Sequence, residues 1–271
     1  MIESKTKTTE DYKKFFIFAK KNMGIDQKQL ENAINSLKEY NTTLATKSHI
    51  LLKDDYIYLT FSLSEVPSNH TCRPLQINLP HPIYTEQFNN EICFIVKDPQ
   101  SDWKQEVENA GLQNIIKKVI GVSHLMKKFS TFEKKRLLIN SFDAFLCDIR
   151  VYKMLPKCLG REFYRKKKFP APIKLKDPSS DLKKAINATY IMMGNGPHYS
   201  LKVARTRMET KEVLNNVIRV IQRVIPYFLL TGIKLKDIQC ISLKSEETPD
   251  LPFYSHLSKS EAMSYILEKI K

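Results

Sequence analysis

Glycine is scarce in this chain, with seven in 271 residues, and that scarcity removes several functions at once. A phosphate-cradling P-loop and a dinucleotide G-x-G-x-x-G turn both need closely spaced glycines ahead of a helix. The one close pair, Gly194 and Gly196 before Pro197, has the wrong spacing and reads as a turn. Long apolar runs are also missing. The longest uncharged one, residues 224–233, contains Pro226, whereas a membrane span needs about twenty residues. Residues 15–19 are too short for a secretory signal and lie between lysine pairs. No membrane partner and no leader are expected. The five cysteines, Cys72, Cys93, Cys147, Cys158 and Cys240, are odd in number and scattered. Most sit in apolar runs, as buried thiols do, which implies a reducing compartment. The sequons at Asn41, Asn69 and Asn187 are then idle. None of the six histidines pairs with cysteine or carboxylate at metal-ligand spacing; His70 with Cys72 comes nearest, and two ligands do not make a site. No metal and no cofactor are expected.

Acidic residues are in deficit too: 29 Asp and Glu face 44 Lys and Arg, a formal net charge of +15. Counterion release rewards each added cation on a polyanion, so the excess favours phosphate-rich partners over acidic small substrates. A basic surface kept for solubility is the plainer alternative. The hydrophobic fraction of 42%, with 14 Phe and 12 Tyr, is enough to fill one large core or two modest ones.

Residues 12–23 predict a short basic helix ended by Gly24. Asp26 predicts an N-cap for a helix of about fourteen residues. Leu30, Ala33, Ile34, Leu37 and Tyr40 follow the 3.6 period and should face a core. Tyr56, Ile57, Tyr58, Leu59, Phe61 and Leu63 read as a strand, and Leu75, Ile77 and Leu79 alternate as a second. Prolines then intervene, and residues 85–90 read as a linker. From Glu91 the pattern changes. Residues 92–96 are a continuous apolar run, as in a buried parallel strand. Residues 103–110 predict a helix, 119–122 a strand, 125–129 a short helix and 142–147 another strand. Such alternation implies a parallel sheet with helices on both faces. Pro170 and Pro172 mark the exit. Residues 181–190 then read as a helix and 199–205 as a strand. The longest helix, 210–225, carries Val213, Val217, Val220, Ile221 and Val224 inward and should kink or end at Pro226. Residues 238–243 form the last apolar strand. The flanks share a character that the middle lacks, so an α/β domain inserted into a split α+β domain is expected.

The segment 147–175 carries the densest charge. Arg161, Arg165, Lys166, Lys167 and Lys168 fall within eight positions, among Phe163, Tyr164 and Phe169. Cations this close repel unless a polyanion covers them, and nucleic acid is the natural polyanion. Lys202, Arg205 and Arg207 lie on or beside the 199–205 strand, where period 2 puts Ser200 and Lys202 outward and Leu201 and Val203 inward. Lys244, Ser245 and Thr248 follow the last strand. Lysines and hydroxyls at a sheet edge suit A-form RNA, read through shape, phosphate and 2′-hydroxyl contacts; a solvated charged face is the alternative. Asp143 and Asp148 flank one strand and could form an acid/base or magnesium pair, or simply cap the strand and the following helix.

Several blocks resemble the ribosomal protein L1 superfamily, and most closely its nucleolar ribosome-biogenesis branch. They are QLENAINSLKEY (29–40), LLKDDYIYLTFSLSEVP (51–67), PLQINLPHPIY (74–84), EICFIVKDP (91–99), the stretch from VIGVSHLMKKF to KKKFPAPI (119–173), SLKVARTRMETKEVLNNVI (200–218) and ISLKSEETPDLPFY (241–254). The resemblance implies a split α+β domain over 25–86 plus 174–271, a Rossmann-like α/β insert over 87–173 and an N-terminal extension over 1–24. It implies non-catalytic binding of structured pre-ribosomal RNA, in the nucleus and nucleolus. The implied partners are other assembly factors and ribosomal proteins, with the chain a monomer inside a large ribonucleoprotein. In the ribosomal branch a Lys-Ser-Thr-Met-Gly turn touches RNA; here Lys244 and Ser245 match, but Glu246, Glu247, Thr248 and Pro249 follow. That departure disfavours the alternative of a structural protein of the large-subunit stalk. The missing long basic C-terminal tail of some members implies a short member of small-subunit processome type. The remaining alternative, a nucleotide-dependent enzyme using the insert, lacks a phosphate loop.

Overall fold

A computed structural model describes residues 27–48, 54–66, 74–85, 88–166, 168–194, 196–246 and 248–256. In chain order the elements are α1 (Gln27–Ser48), β1 (Tyr56–Leu63), β2 (Leu75–Asn78), β3 (Ile92–Val96), α2 (Gln100–Asn109), β4 (Ile116–Gly121), α3 (Val122–Lys128), α4 (Phe132–Ser141), β5 (Ala144–Asp148), α5 (Ile149–Tyr152), α6 (Leu155–Leu159), α7 (Arg161–Arg165), β6 (Ala171–Ile173), α8 (Pro178–Ile186), β7 (Ala188–Ile191), β8 (His198–Arg205), α9 (Thr210–Leu230), β9 (Ile238–Lys244) and β10 (Leu251–Ser255). The chain divides into two compact units: the described residues up to His81 together with those from Ile191, and residues 82–190. The described residues combine a parallel sheet in one unit with an antiparallel sheet in the other, so α/β and α+β architecture occur in one chain, as expected.

The first unit is built on an antiparallel sheet ordered β10-β9-β1-β8. The inward residues Ile57, Leu59, Phe61, Leu201, Val203, Ile241 and Leu243 are buried. α1 and α9 pack on that face and on each other. Leu30, Ile34 and Leu37 of α1 are fully covered. Tyr40, expected to join them, is 42% exposed. Asp26 and the basic helix expected over 12–23 lie outside the described residues. α9 does not stop at Pro226. An interior proline costs about 3 kcal/mol. Beyond it, buried Phe228 meets Phe61 edge-on at 5.5 Å and Tyr199 at 5.9 Å. Burying one such ring is worth about 1.5–3 kcal/mol, which offsets the break. This helix is long and apolar enough to cross a bilayer, but its apolar stripe is buried, with β8 and α1 packed against the helix.

Asn216 of α9 is completely buried. Its Nδ2 donates to the carbonyls of His81 and Val203, both at 2.9 Å, and its Oδ1 accepts from the His81 N–H at 3.0 Å. One amide thus satisfies backbone where the chain leaves the first unit, since a buried polar group must be paired.

The second unit has a parallel sheet ordered β4-β3-β5-β6. Every residue of β3 is buried, as the continuous apolar run requires of a strand covered on both faces. One face packs Phe94, Val107, Val119, Leu146, Leu182 and Ile186, so α2 and α8 lie there. The other packs Cys93, Ile95, Leu125, Leu138, Phe145, Val151, Leu155 and Phe163, which brings in α3 to α7. Burial pushes the Cys93 thiol up to about 12, leaving it an inert core group. The unit ends later than the expected boundary at 173 because α8 buries Leu182, Ala185 and Ile186 in its core. Pro172, expected beyond the last strand, sits within β6, an edge position where a missing N–H is tolerated. α4, α7, β6, β7 and β10 were not anticipated, and the helix expected over 181–190 ends at Ile186, with β7 in place of its last part.

Gly121 closes β4 against the Asp98 carboxylate, whose Oδ2 accepts from the Ser123 N–H at 3.1 Å and the Ser123 hydroxyl at 2.6 Å. The hydroxyl above all holds the Asp98 carboxyl below its ordinary range. A Cβ on Gly121 would collide with Asp98 Oδ1. Gly121→Ala should therefore cost about 1–3 kcal/mol by overpacking, read as a lowered midpoint in thermal unfolding followed by circular dichroism. An unchanged midpoint would show that the carboxylate moves aside freely.

Candidate nucleic-acid interface

The basic segment of the second unit is positioned by its own buried residues. Asp148, 1% exposed, caps α5: Oδ1 accepts from the Arg150 N–H at 2.9 Å and Oδ2 from Arg150 Nε at 2.7 Å. Asp143 Oδ2 accepts from the Glu91 N–H at 3.1 Å. Both carboxylates are thus committed to the fold, as the capping alternative had it. Leu155 and Leu159 pin α6 to the core. Gly160, at φ +78°, then turns the chain into α7, a conformation that other residues adopt at a cost. Phe163 is fully buried, 5.0 Å edge-on to Phe145. With Phe163 inward, Arg161, Arg165 and Lys166 are exposed.

α4 lies alongside and adds cations. Arg136 Nε is 3.7 Å, and Arg165 Nη2 4.0 Å, from the same Glu162 Oε2. Lys166 Nζ donates to Asn140 Oδ1 at 2.6 Å. Lys135 Nζ lies 3.9 Å from where a Cβ on Gly160 would stand. Arg136 and Arg165 thus meet at Glu162, Lys135, Arg161 and Lys166 lie on or cap the same two helices, and Glu133 is the other acidic residue there. Sequence reasoning missed the two cations from α4. The only signal was the Lys-Lys-Arg triplet at 134–136, some 25 positions upstream.

Lys168 does not belong with them. Its Nζ donates to the Ile139 carbonyl at 3.1 Å and the Phe142 carbonyl at 2.7 Å, satisfying acceptors at the C-terminal end of α4. Lys167 lies outside the described residues.

In the first unit the sheet face away from the helices is polar. Tyr58 stands opposite Lys202 on β8 and Lys244 on β9, Thr60 opposite Ser200 and Ser242, and Ser62 opposite His198 and Cys240. Directly opposed residues share a face, so Lys202, Tyr58 and Lys244 form one row. Lys202 Nζ lies 3.6 Å from the Tyr56 ring centroid, and Lys244 Nζ is 3.6 Å from Asp250 Oδ1. Burial, with the Glu246 carboxylate beside it, pushes the Tyr58 phenol up, so it stays protonated. Arg207 is exposed beyond the end of β8.

Two expected contacts are buried. Arg205 is 5% exposed; its Nη1 meets Asp54 Oδ2 at 3.0 Å and its Nη2 donates to the Tyr56 hydroxyl at 2.8 Å. Ser245 is 2% exposed, and its N–H donates to Thr248 Oγ1 at 2.7 Å, closing the turn after β9. Among the described residues no group of three His, Cys, Asp or Glu could hold a metal ion.

A parallel α/β unit carried between the halves of an antiparallel α+β unit defines the class: a two-unit protein with cations displayed on each unit and its prominent carboxylates committed to structure. The sequence pattern of the ribosomal protein L1p/L10e family matches residues 37–249, and the chain belongs to that family. It is 31% identical over 254 residues to a Schizosaccharomyces pombe protein named for ribosome biogenesis, covering 87% of this chain and 67% of that one. It is 24% identical over 251 residues to the mouse Ribosomal L1 domain-containing protein 1, covering 88% of this chain and 53% of the relative. Over 86 residues it is 31% identical to Ribosome biogenesis protein UTP30 of Saccharomyces cerevisiae, covering 31% of each chain. The chain thus spans between about half and two thirds of the longer matches.

Proposed function

We propose that this chain is a non-catalytic ribosome assembly factor that binds structured pre-ribosomal RNA in the nucleolus. It is a monomer among other assembly factors and ribosomal proteins. The observation that carries the reading is the convergence of α4 and α7, which brings Arg136 and Arg165 together at Glu162, sets Lys166 against Asn140 and places Lys135 by the Gly160 turn that leads into Arg161, five cations against the two carboxylates Glu133 and Glu162. The names of the relatives support the assembly role. Arg161, Arg165, Lys166, Lys135 and Arg136 contact phosphates from the second unit. Lys202, Arg207 and Lys244 contact phosphates from the first, with hydroxyls such as Ser200 beside them for the 2′-OH. Phosphate contacts of this kind position the RNA rather than read its sequence.

Crosslinking the chain to RNA in cells, sequencing the attached fragments and sedimenting the same extract tests this. Crosslinks in ribosomal RNA precursors, with the chain sedimenting only with pre-ribosomes, are expected. Retention on translating ribosomes would instead favour a structural stalk protein, and crosslinks only to unrelated RNA would reject the assembly role.

A further inference from the structure

Phe132 is the first residue of α4 and is 73% exposed. A single exposed aromatic is ordinary on a protein surface; its neighbours make this one unusual. Lys135 and Arg136 follow at i+3 and i+4, so they share its side of the helix. Arg136 is steadied by Glu162, and Lys135 lies over the Gly160 turn that leads into Arg161. Upstream, α3 ends in the exposed pair Lys127 and Lys128. A bare ring is thus set at the border of the cationic surface, with positive charge on both sides along the chain outnumbering the one adjacent carboxylate, Glu133.

Charge and shape together select the occupant. The centre of a protein–protein contact is enriched in Phe and Arg but depleted of lysine, and Lys127, Lys128, Lys134 and Lys135 around this ring weigh against a protein partner. A nucleotide carries what this surface lacks, a phosphate for the cations and a flat π-face for the ring. In a duplex the bases are stacked on one another and unavailable, whereas loops and bulges splay them out. We infer that Phe132, flanked by Lys135 and Arg136, is a stacking site for an unpaired base of the bound RNA. The inference rests on the RNA-binding reading and narrows it: the ligand has a bulge or loop whose base leaves the helix at this point, while its phosphates lie toward α7.

The test compares the full chain with Phe132→Ala and Phe132→Trp. The probes are a labelled RNA hairpin with an unpaired adenine loop and a blunt RNA duplex with the same number of phosphates. Phe132→Ala should weaken hairpin binding about tenfold, the scale of one lost base–aromatic stack. Duplex affinity and the salt dependence of both should stay unchanged, and Phe132→Trp should restore hairpin binding. Because the side chain is exposed, all three proteins should share one thermal midpoint. Equal losses on both probes, or none on the hairpin, overturn the stacking site while the RNA reading stands. Unchanged RNA affinity with loss of a co-purifying protein from the Phe132→Ala chain overturns it in favour of a protein surface. If the unaltered chain binds neither probe in dilute salt, it is the RNA-binding reading that fails.

Discussion

Replacing Arg161, Arg165 and Lys166 together with glutamine should lower affinity for structured RNA by about two orders of magnitude near 0.1 M salt, while leaving the fold intact. The size follows from counterion release. Each lost phosphate contact flattens the slope of log affinity against log salt by about 0.7 to 0.9. Three contacts give roughly two to three units, and each unit is worth about tenfold between 1 M and 0.1 M salt. Stability should change little. All three side chains are exposed, and the 4.0 Å approach of Arg165 to Glu162 is the kind of surface pair worth about 0–1 kcal/mol. Arg136 remains beside Glu162, so the half-buried carboxylate keeps a partner. Two comparisons make the result specific. Lys104→Gln with Lys183→Gln removes exposed charge from α2 and α8, which pack on the opposite face of the parallel sheet; the slope should barely move. Lys168→Gln removes a cation from within the charge run but breaks its bonds to the Ile139 and Phe142 carbonyls. That variant should lose stability and keep its slope. Titrations over a series of salt concentrations measure all of this, and a slope unaltered by the triple substitution would remove the α7 surface from the interface.

The contrast between Arg165 and Lys168 shows how far the amino-acid order could be read. In sequence they belong to one run, because a pattern of charge is the same whether an ammonium faces water or carbonyls. What separates them is α4, which presents Glu162 with Arg136 and Lys168 with the end of a helix. α4 itself was illegible: FEKKRLLINS buries only Leu138 and Ile139, and three successive cations hide so narrow a stripe. The opposite holds for β3. With both faces covered, all five positions must be apolar, and the run announces itself. Strands β1 and β8 were legible for a related reason, since apolar residues alternate along them with polar or amphipathic ones, although Tyr56 and Thr60 on the second face are buried as well. Asn216 was not, because a polar residue in an apolar stripe looks like a solvent position until its three backbone partners are seen. A neighbour outweighed a proline's local rule at Pro226, where α9 continues rather than ends, and at Pro172 on a sheet edge. The outward direction of Lys202 followed from strand period, which by an odd count of three would send Arg205 to the opposite face. The pairing shifts by one residue between Ile57 and Tyr58, and that irregularity brings Arg205 opposite Tyr56, whose ring it shares with Lys202. Its burial comes from Asp54 and the Tyr56 hydroxyl, which the sequence does not reveal.

Arg205 therefore makes the sharpest test of structure against charge. Arg205→Met should destabilise the first unit by about 3–5 kcal/mol, the cost of stranding one member of a buried ion pair. The side chains of Arg205 and Asp54 are only 7% and 12% exposed, with Nη1 and Oδ2 3.0 Å apart. The guanidinium also stacks on Tyr56 at 4.4 Å and donates to its hydroxyl at 2.8 Å. Asp54 accepts in addition from the Thr206 hydroxyl at 3.3 Å and the Arg207 N–H at 3.4 Å. Together these contacts tie the entry of β1 to the exit of β8. Removing the arginine leaves a half-satisfied network around a charge with little water, which is worse than an apolar one. The double variant Arg205→Met with Asp54→Leu should consequently be more stable than Arg205→Met alone, because it strands no charge. Arg205→Lys should fall between, keeping the charge but losing the planar fork that reaches Asp54 and Tyr56 at once. Thermal unfolding reports the order directly; a loss of this size lowers the midpoint by roughly 10 °C. If Arg205 instead bound phosphate, Arg205→Met would keep its midpoint and flatten the salt slope, and Arg205→Lys would bind RNA normally. Either outcome would move Arg205 from the framework of the sheet to its RNA-facing side.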